Sequence, residues 1–139
     1  NSNSINHNSV VAIQPDENGK LYIAAHAGGL DLLDPASGKF THIKPPNSSP
    51  GNTLDSLHCI FIENKQYLWL GGEHGLARVD RSTNQFKVYR FNDEDKKGIS
   101  GNTVYSITKD KNNHLWFANF GGVQIIPIRI CDLDKILFH

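Results

Sequence analysis

The stretch Asn102-Thr103-Val104-Tyr105-Ser106-Ile107, then Asp110-Lys111-Asn112-Asn113-His114-Leu115-Trp116-Phe117, then Gly121-Gly122-Val123 decides the fold. Each part has counterparts at one shift. Trp116 lies 47 positions after Trp69, and Tyr22 lies 47 before it. Leu21, Leu68 and Leu115 precede these aromatics, and Ile23, Leu70 and Phe117 follow them. Upstream, Val10, Leu57 and Val104 superpose, as do Ile13, Ile60 and Ile107, and the acidic Asp16, Glu63 and Asp110. Downstream, Gly28, Gly75 and Gly122 align, followed by Leu30, Leu76 and Val123, the first after an extra Gly29. Asp34 and Asp80, like Phe40 and Phe86, lie 46 apart, the slip that one turn insertion gives. Self-similarity at a fixed period is the signature of a repeat architecture.

Each copy reads as short strands joined by turns. First strands are expected at 10–14, 58–62 and 104–109, second strands at 21–25, 67–71 and 115–118, and third strands at 30–33, 76–79 and 123–126. Fourth strands are expected at 40–43 and 86–91. Asp16-Glu17-Asn18-Gly19 and Asp110-Lys111-Asn112-Asn113 suit the first turn, because Asp and Asn bond their own backbone and Gly and Asn accept positive φ. Copy two has Gln66 at the glycine position, so a less favourable turn is expected there. No helical period is sustained. A four-stranded meander of this length is the blade of a β-propeller. The expected fold is therefore all-β: a propeller fragment of about three four-stranded antiparallel blades, over 5–51, 52–98 and 99–139. The last blade is expected to be incomplete or irregular, since 128–139 lacks a turn signal. Tyr22, Trp69 and Trp116 are expected in the core between blades, and Gly28, Gly75 and Gly122 in tight turns.

Composition narrows the function. Apolar residues make up 38% and charged residues 20% of the 139 positions, which suits a packed domain. Lys plus Arg equals Asp plus Glu at 14 each, so the clustered excess cations of a nucleic-acid binder are missing. The acidic run Asn92-Asp93-Glu94-Asp95 meets Lys96-Lys97 at once and reads as a solvated loop tip. No apolar stretch approaches the roughly 20 residues of a membrane helix, so no membrane contact by this segment is expected. Cys59 and Cys131 are isolated, and Cys59 aligns with Ala12 and Ser106, so a small packed thiol is expected. The first residue is Asn1, which fits a processed or excised piece of a larger ring.

The quoted stretches resemble the two-component regulator propeller repeat: Asn-x-Val-x-x-Ile, an acidic residue, a turn Gly or Asn, Leu-Trp, then Gly-Val or Gly-Leu. Copy two carries it through Leu57, Ile60, Glu63, Leu68-Trp69-Leu70-Gly71 and Gly75-Leu76, and copy one with Tyr22 for tryptophan. The resemblance spans about residues 8–127. It implies the extracytoplasmic sensor region of a hybrid histidine kinase of the Bacteroidetes type, placed in the periplasm and reading glycans or their breakdown products. Phosphoacceptor, nucleotide-binding and receiver motifs are not found in this sequence, so the kinase activity would belong to other modules.

Candidate site residues follow from the turns. Glu73, His74, Asn119 and Phe120 share one inter-strand turn in copies two and three, and His26 lies in the corresponding region of copy one. Such turns gather at one face of a propeller and form its ligand sites. Asp16, Glu63 and Asp110 are expected to accept turn amides rather than to form a catalytic dyad. No H-x-x-x-H or H-E-x-x-H spacing is present, so neither metal nor other cofactor is expected. There is no G-x-S-x-G elbow, and no catalytic residue is assigned. Sensing of an oligosaccharide is the leading reading; a lyase-like propeller enzyme and a plain protein-interaction scaffold are the alternatives. Exposed blade faces are expected to drive self-association, because three blades do not close a ring.

Overall fold

The computed structural model describes residues 3–27, 29–44, 56–90 and 99–127, with side-chain surroundings given up to Gln124. The described residues form strands only, as expected. β1 (Val10–Pro15), β2 (Leu21–Ala25), β3 (Gly29–Asp34) and β4 (Lys39–Ile43) make one antiparallel sheet in that order. β5 (Leu57–Ile62), β6 (Tyr67–Gly72), β7 (Gly75–Asp80) and β8 (Phe86–Tyr89) make the second. β9 (Val104–Lys109), β10 (His114–Asn119) and β11 (Gly122–Pro127) make the third. Gly28, the acidic run at 92–95, Cys131 and the whole stretch 128–139 lie outside the described residues. The expected irregularity of the last strand therefore falls outside them too.

Local chemistry explains the turns. Asp16 Oδ1 accepts the amides of Asn18 and Lys20 at 2.8 Å each, and Gly19 takes φ 81°. Asp110 Oδ1 likewise accepts those of Asn112 and His114 at 2.8 and 3.0 Å, with Asn113 at φ 62°. Copy two differs. Asn64 Oδ1 takes the amides of Gln66 and Tyr67, at 2.8 Å each, and so organises the turn that lacks a glycine. Glu63, one methylene longer than aspartate, is used elsewhere, which corrects the expectation that all three acids hold turn amides. Its carboxylate accepts the Trp69 indole N–H at 2.8 Å and two Arg78 N–H groups at 2.9 and 2.6 Å. Arg78 is itself buried and stacks 3.8 Å over Tyr67, so this is a buried ion pair with its donors well used.

The sheets pack face to face through the aromatics. One core joins sheets one and two through Tyr22, Ala24, Leu30, Leu57, Ile60, Leu68 and Leu70. A second joins sheets two and three through Trp69, Leu76, Val104, Leu115 and Phe117. In both, the first strand of one sheet lies on the second strand of the sheet before it: β5 on β2, and β9 on β6. β5 also lies between β1 and β9, the succession of innermost strands around a propeller axis. Arg81, in the β7–β8 turn, reaches back to the first sheet. It donates to Tyr22 Oη at 3.2 Å, to Glu17 at 3.1 Å and to Asp16 at 3.5 Å. Tyrosine in place of tryptophan at 22 thus supplies an acceptor for a neighbouring blade.

A second device fastens sheets one and three to their own lead-ins. Asp31 on β3 is buried; its Oδ2 accepts the Asn6 amide at 2.7 Å, and His42 Nδ1 lies 2.5 Å from its Oδ1. At the same repeat position in sheet three, Gln124 Oε1 accepts the Ser100 amide at 2.7 Å.

Candidate functional site

The site is built at the end where β1, β5 and β9 begin. In every sheet, pairing of the first strand with the second slips by one residue there. The partners jump from Val10 to Ala12, from Leu57 to Cys59, and from Val104 to Ser106. The skipped residues are Val11, His58 and Tyr105. Such a bulge re-aims a side chain out of the normal alternation. Leu57 and Val104 stay in the core, while the next residues along turn outward together.

The β2–β3, β6–β7 and β10–β11 turns come to the same end. The carbonyls of Ser9, Ser56 and Thr103 accept the amides of His26, Glu73 and Phe120 at 2.9, 2.9 and 3.0 Å. The hydrogen bonding therefore makes His26 equivalent to Glu73 and Phe120, as the 47-residue shift also gives, and not to His74; the extra Gly29 comes later in the turn. Two tiers of residues result, Val11–His58–Tyr105 on the bulges and His26–Glu73–Phe120 on the turns.

The tiers touch. Glu73 Oε1 lies 3.6 Å from His26 Nε2 and 3.9 Å from His58 Nε2. The His26 and His58 rings stand edge to face at 6.1 Å, and His58 lies 5.6 Å from Tyr105. His58 Nε2 is shielded from solvent and has no hydrogen-bond partner. Phe120 is 83% exposed and Tyr105 52%, so two aromatic faces lie open beside the polar group. The arrangement offers one carboxylate acceptor, two imidazoles and aromatic surface. No group of three or more His, Cys, Asp or Glu side chains among the described residues is disposed to hold a metal ion.

The residues expected from sequence are divided by the structure. It brings His26 and Glu73 together and leaves Phe120 open nearby. His74 is exposed, and its carbonyl accepts an Arg90 N–H. Asn119 is buried and serves the scaffold, its Nδ2 donating to Gln124 Oε1 at 2.9 Å and its Oδ1 accepting from Ser100 Oγ at 3.1 Å. His58 and Tyr105 were not among the sequence candidates. Their signal was a polar or aromatic residue at one repeat position directly after a core residue, but strict strand alternation hides a bulge.

Residues 98–121 match the family model described as two component regulator propeller. No curated protein matches the chain. Among solved structures, the extracellular domain of the hybrid two-component system BT3049 from B. thetaiotaomicron is similar, with a TM-score of 0.74 and 23% identity over 96% of this chain. PorZ, an essential surface component of the type-IX secretion system of Porphyromonas gingivalis, gives 0.62 and 22% over 94%. The extracellular domain of the hybrid two-component system BT4673 from B. thetaiotaomicron gives 0.51 and 16% over 86%. The chain spans 17%, 17% and 21% of those three. The fold is that of a propeller, and the match to the two component regulator propeller model falls on β9 and β10 of the third sheet. No helix among the described residues is long and apolar enough to cross a membrane.

Proposed function

We propose that this chain is a non-catalytic part of the periplasmic sensing region of a hybrid two-component histidine kinase, and that it binds an oligosaccharide fragment at the mouth formed by the bulged ends of β1, β5 and β9. The observation that carries the reading is the convergence of His26, His58 and Glu73 beside the exposed Tyr105 and Phe120. A sugar ring presents hydroxyls to a carboxylate and to imidazoles, and its apolar face to an aromatic ring. Ligand sites of this kind join a few placed polar groups to apolar surface. The repeat family and the propeller neighbours support the sensing role. Binding would act on the kinase through a population shift: the ligand favours the sensor arrangement to which it binds more tightly.

Titration calorimetry against a panel of oligosaccharides tests this. Binding by the wild-type chain should weaken at least about tenfold in Glu73→Gln and in His58→Ala, as loss of a charged or buried hydrogen-bond partner predicts. Silence across the panel from a folded chain would favour the scaffold reading. Because Glu73 lies near two imidazoles, each mixture should also be analysed for cleaved sugar, and turnover would replace sensing with catalysis.

A further inference from the structure

Glu73 stands apart from the other acids. Every other carboxylate among the described residues accepts a hydrogen bond, from a turn amide, a hydroxyl, an indole or an arginine. Glu73 accepts none from a described residue. Two imidazoles face it instead: His26 Nε2 at 3.6 Å, from the β2–β3 turn, and His58 Nε2 at 3.9 Å, from β5. Both are too far for a hydrogen bond. No Lys or Arg of the described residues pairs with it. Arg90 reaches the same turn, but its N–H goes to the His74 carbonyl. Of the strands packed on β5, β1, β2 and β6 carry no charged residue. β9 brings the Tyr105 ring within 5.6 Å of His58 and has Lys109 at its far end. A neutral imidazole cancels no charge, so with His26 and His58 unprotonated the cluster carries one negative charge. The carboxylate is half-exposed while His58 Nε2 is shielded, so an incoming group meets Glu73 first.

We propose that Glu73 receives a protonated amine, and that the ligand class of this mouth is therefore an oligosaccharide bearing a free amino group; the inference rests on the sugar-binding reading above. An ammonium supplies the two things the carboxylate lacks, a positive charge and N–H donors. The Tyr105 ring beside the cluster also suits a cation better than a neutral group. An N-acetylated sugar offers one N–H and no charge, so charge complementarity selects against it. Protons compete for the same carboxylate. A proton on His26 or His58 provides a cation from within, and the ligand's ammonium loses its advantage. Acid charges the ligand's amine as well as the imidazoles, so binding that weakens in acid reports the protein's own groups.

Titration calorimetry of the full chain tests this with a glucosamine oligomer and its N-acetylated counterpart of equal length. At about pH 7 the free amine should bind about two- to fivefold tighter, the size of a half-exposed ion pair. At about pH 5.5 that advantage should shrink, although the amine is then more fully charged. In Glu73→Gln, a neutral variant of the same shape, it should vanish at both pH values. Equal or tighter binding of the N-acetylated oligomer at pH 7 overturns the inference and leaves the sugar-binding reading standing. So does an advantage that survives in folded Glu73→Gln, or one that grows in acid. Silence with both oligomers, where other sugars of the panel bind, overturns the amine preference alone. Silence with every sugar removes both readings.

Discussion

Asp110 shows how much one side chain carries. Its carboxylate accepts the Trp116 indole N–H at 2.8 Å and two turn amides. These bonds, the indole first and the His114 amide next, hold its pKa down to about 2 from an ordinary 3.8. A depressed carboxyl stabilises the fold fully above its unfolded pKa, and that contribution is lost as pH falls through the folded value. Denaturant titrations from pH 5 to pH 1.5 should therefore show a loss between about pH 4 and pH 2 that is smaller in Asp110→Asn. Equal slopes in the two proteins would place the acid sensitivity elsewhere. The role of Asp110 was legible, since Asp, Asn and Asn at those spacings are turn chemistry. The role of Glu63 was not, because a one-methylene difference redirects a carboxylate from its own turn to a tryptophan and an arginine in the same sheet.

At the scale of the element, the strands could be read to within one or two residues, because the 47-residue register sets the apolar pattern of each sheet against two other copies. What escaped was the bulge. It moves Val11, His58 and Tyr105 out of alternation without any Gly or Pro to announce it. The strands also carry a hidden volume balance. Directly paired residues are Ala12 with Ala24, Cys59 with Gly71, and Ser106 with Ala118, so the larger side chain faces the glycine. A Cβ at Gly71 would lie 2.7 Å from Cys59 Sγ as well as against Val104. Gly71→Ala should cost about 1–3 kcal/mol through overpacking. Adding Cys59→Ala, which recreates the pair of the first repeat, should recover part of that loss. Urea midpoints of the single and double variants measure the coupling, and strict additivity would mean that the strain falls on Val104 alone.

For the whole molecule, the two interfaces are alike in their apolar packing and unlike in their polar fastening. Tryptophan at 69 and 116 spends its N–H on the acid of its own sheet, whereas Tyr22 leaves Asp16 and its own hydroxyl to Arg81 of the next sheet. Arg81→Ala should loosen sheet one against sheet two. A hydrogen bond to a charged group is worth about 1.5–3 kcal/mol, so amide exchange in β1 and β2 should rise about tenfold or more, with β9 and β10 little changed. A uniform rise over all three sheets would show that the chain opens as one unit. That outcome bears on the fastenings from Asn6 to Asp31 and from Ser100 to Gln124, which join residues only 25 and 24 positions apart. Contacts so near in sequence close at little entropic cost and can form early. Sheets one and three can thus each secure their own beginning before a neighbour arrives, as nearly independent nucleation events, with docking of one finished sheet on the next as the later and slower step.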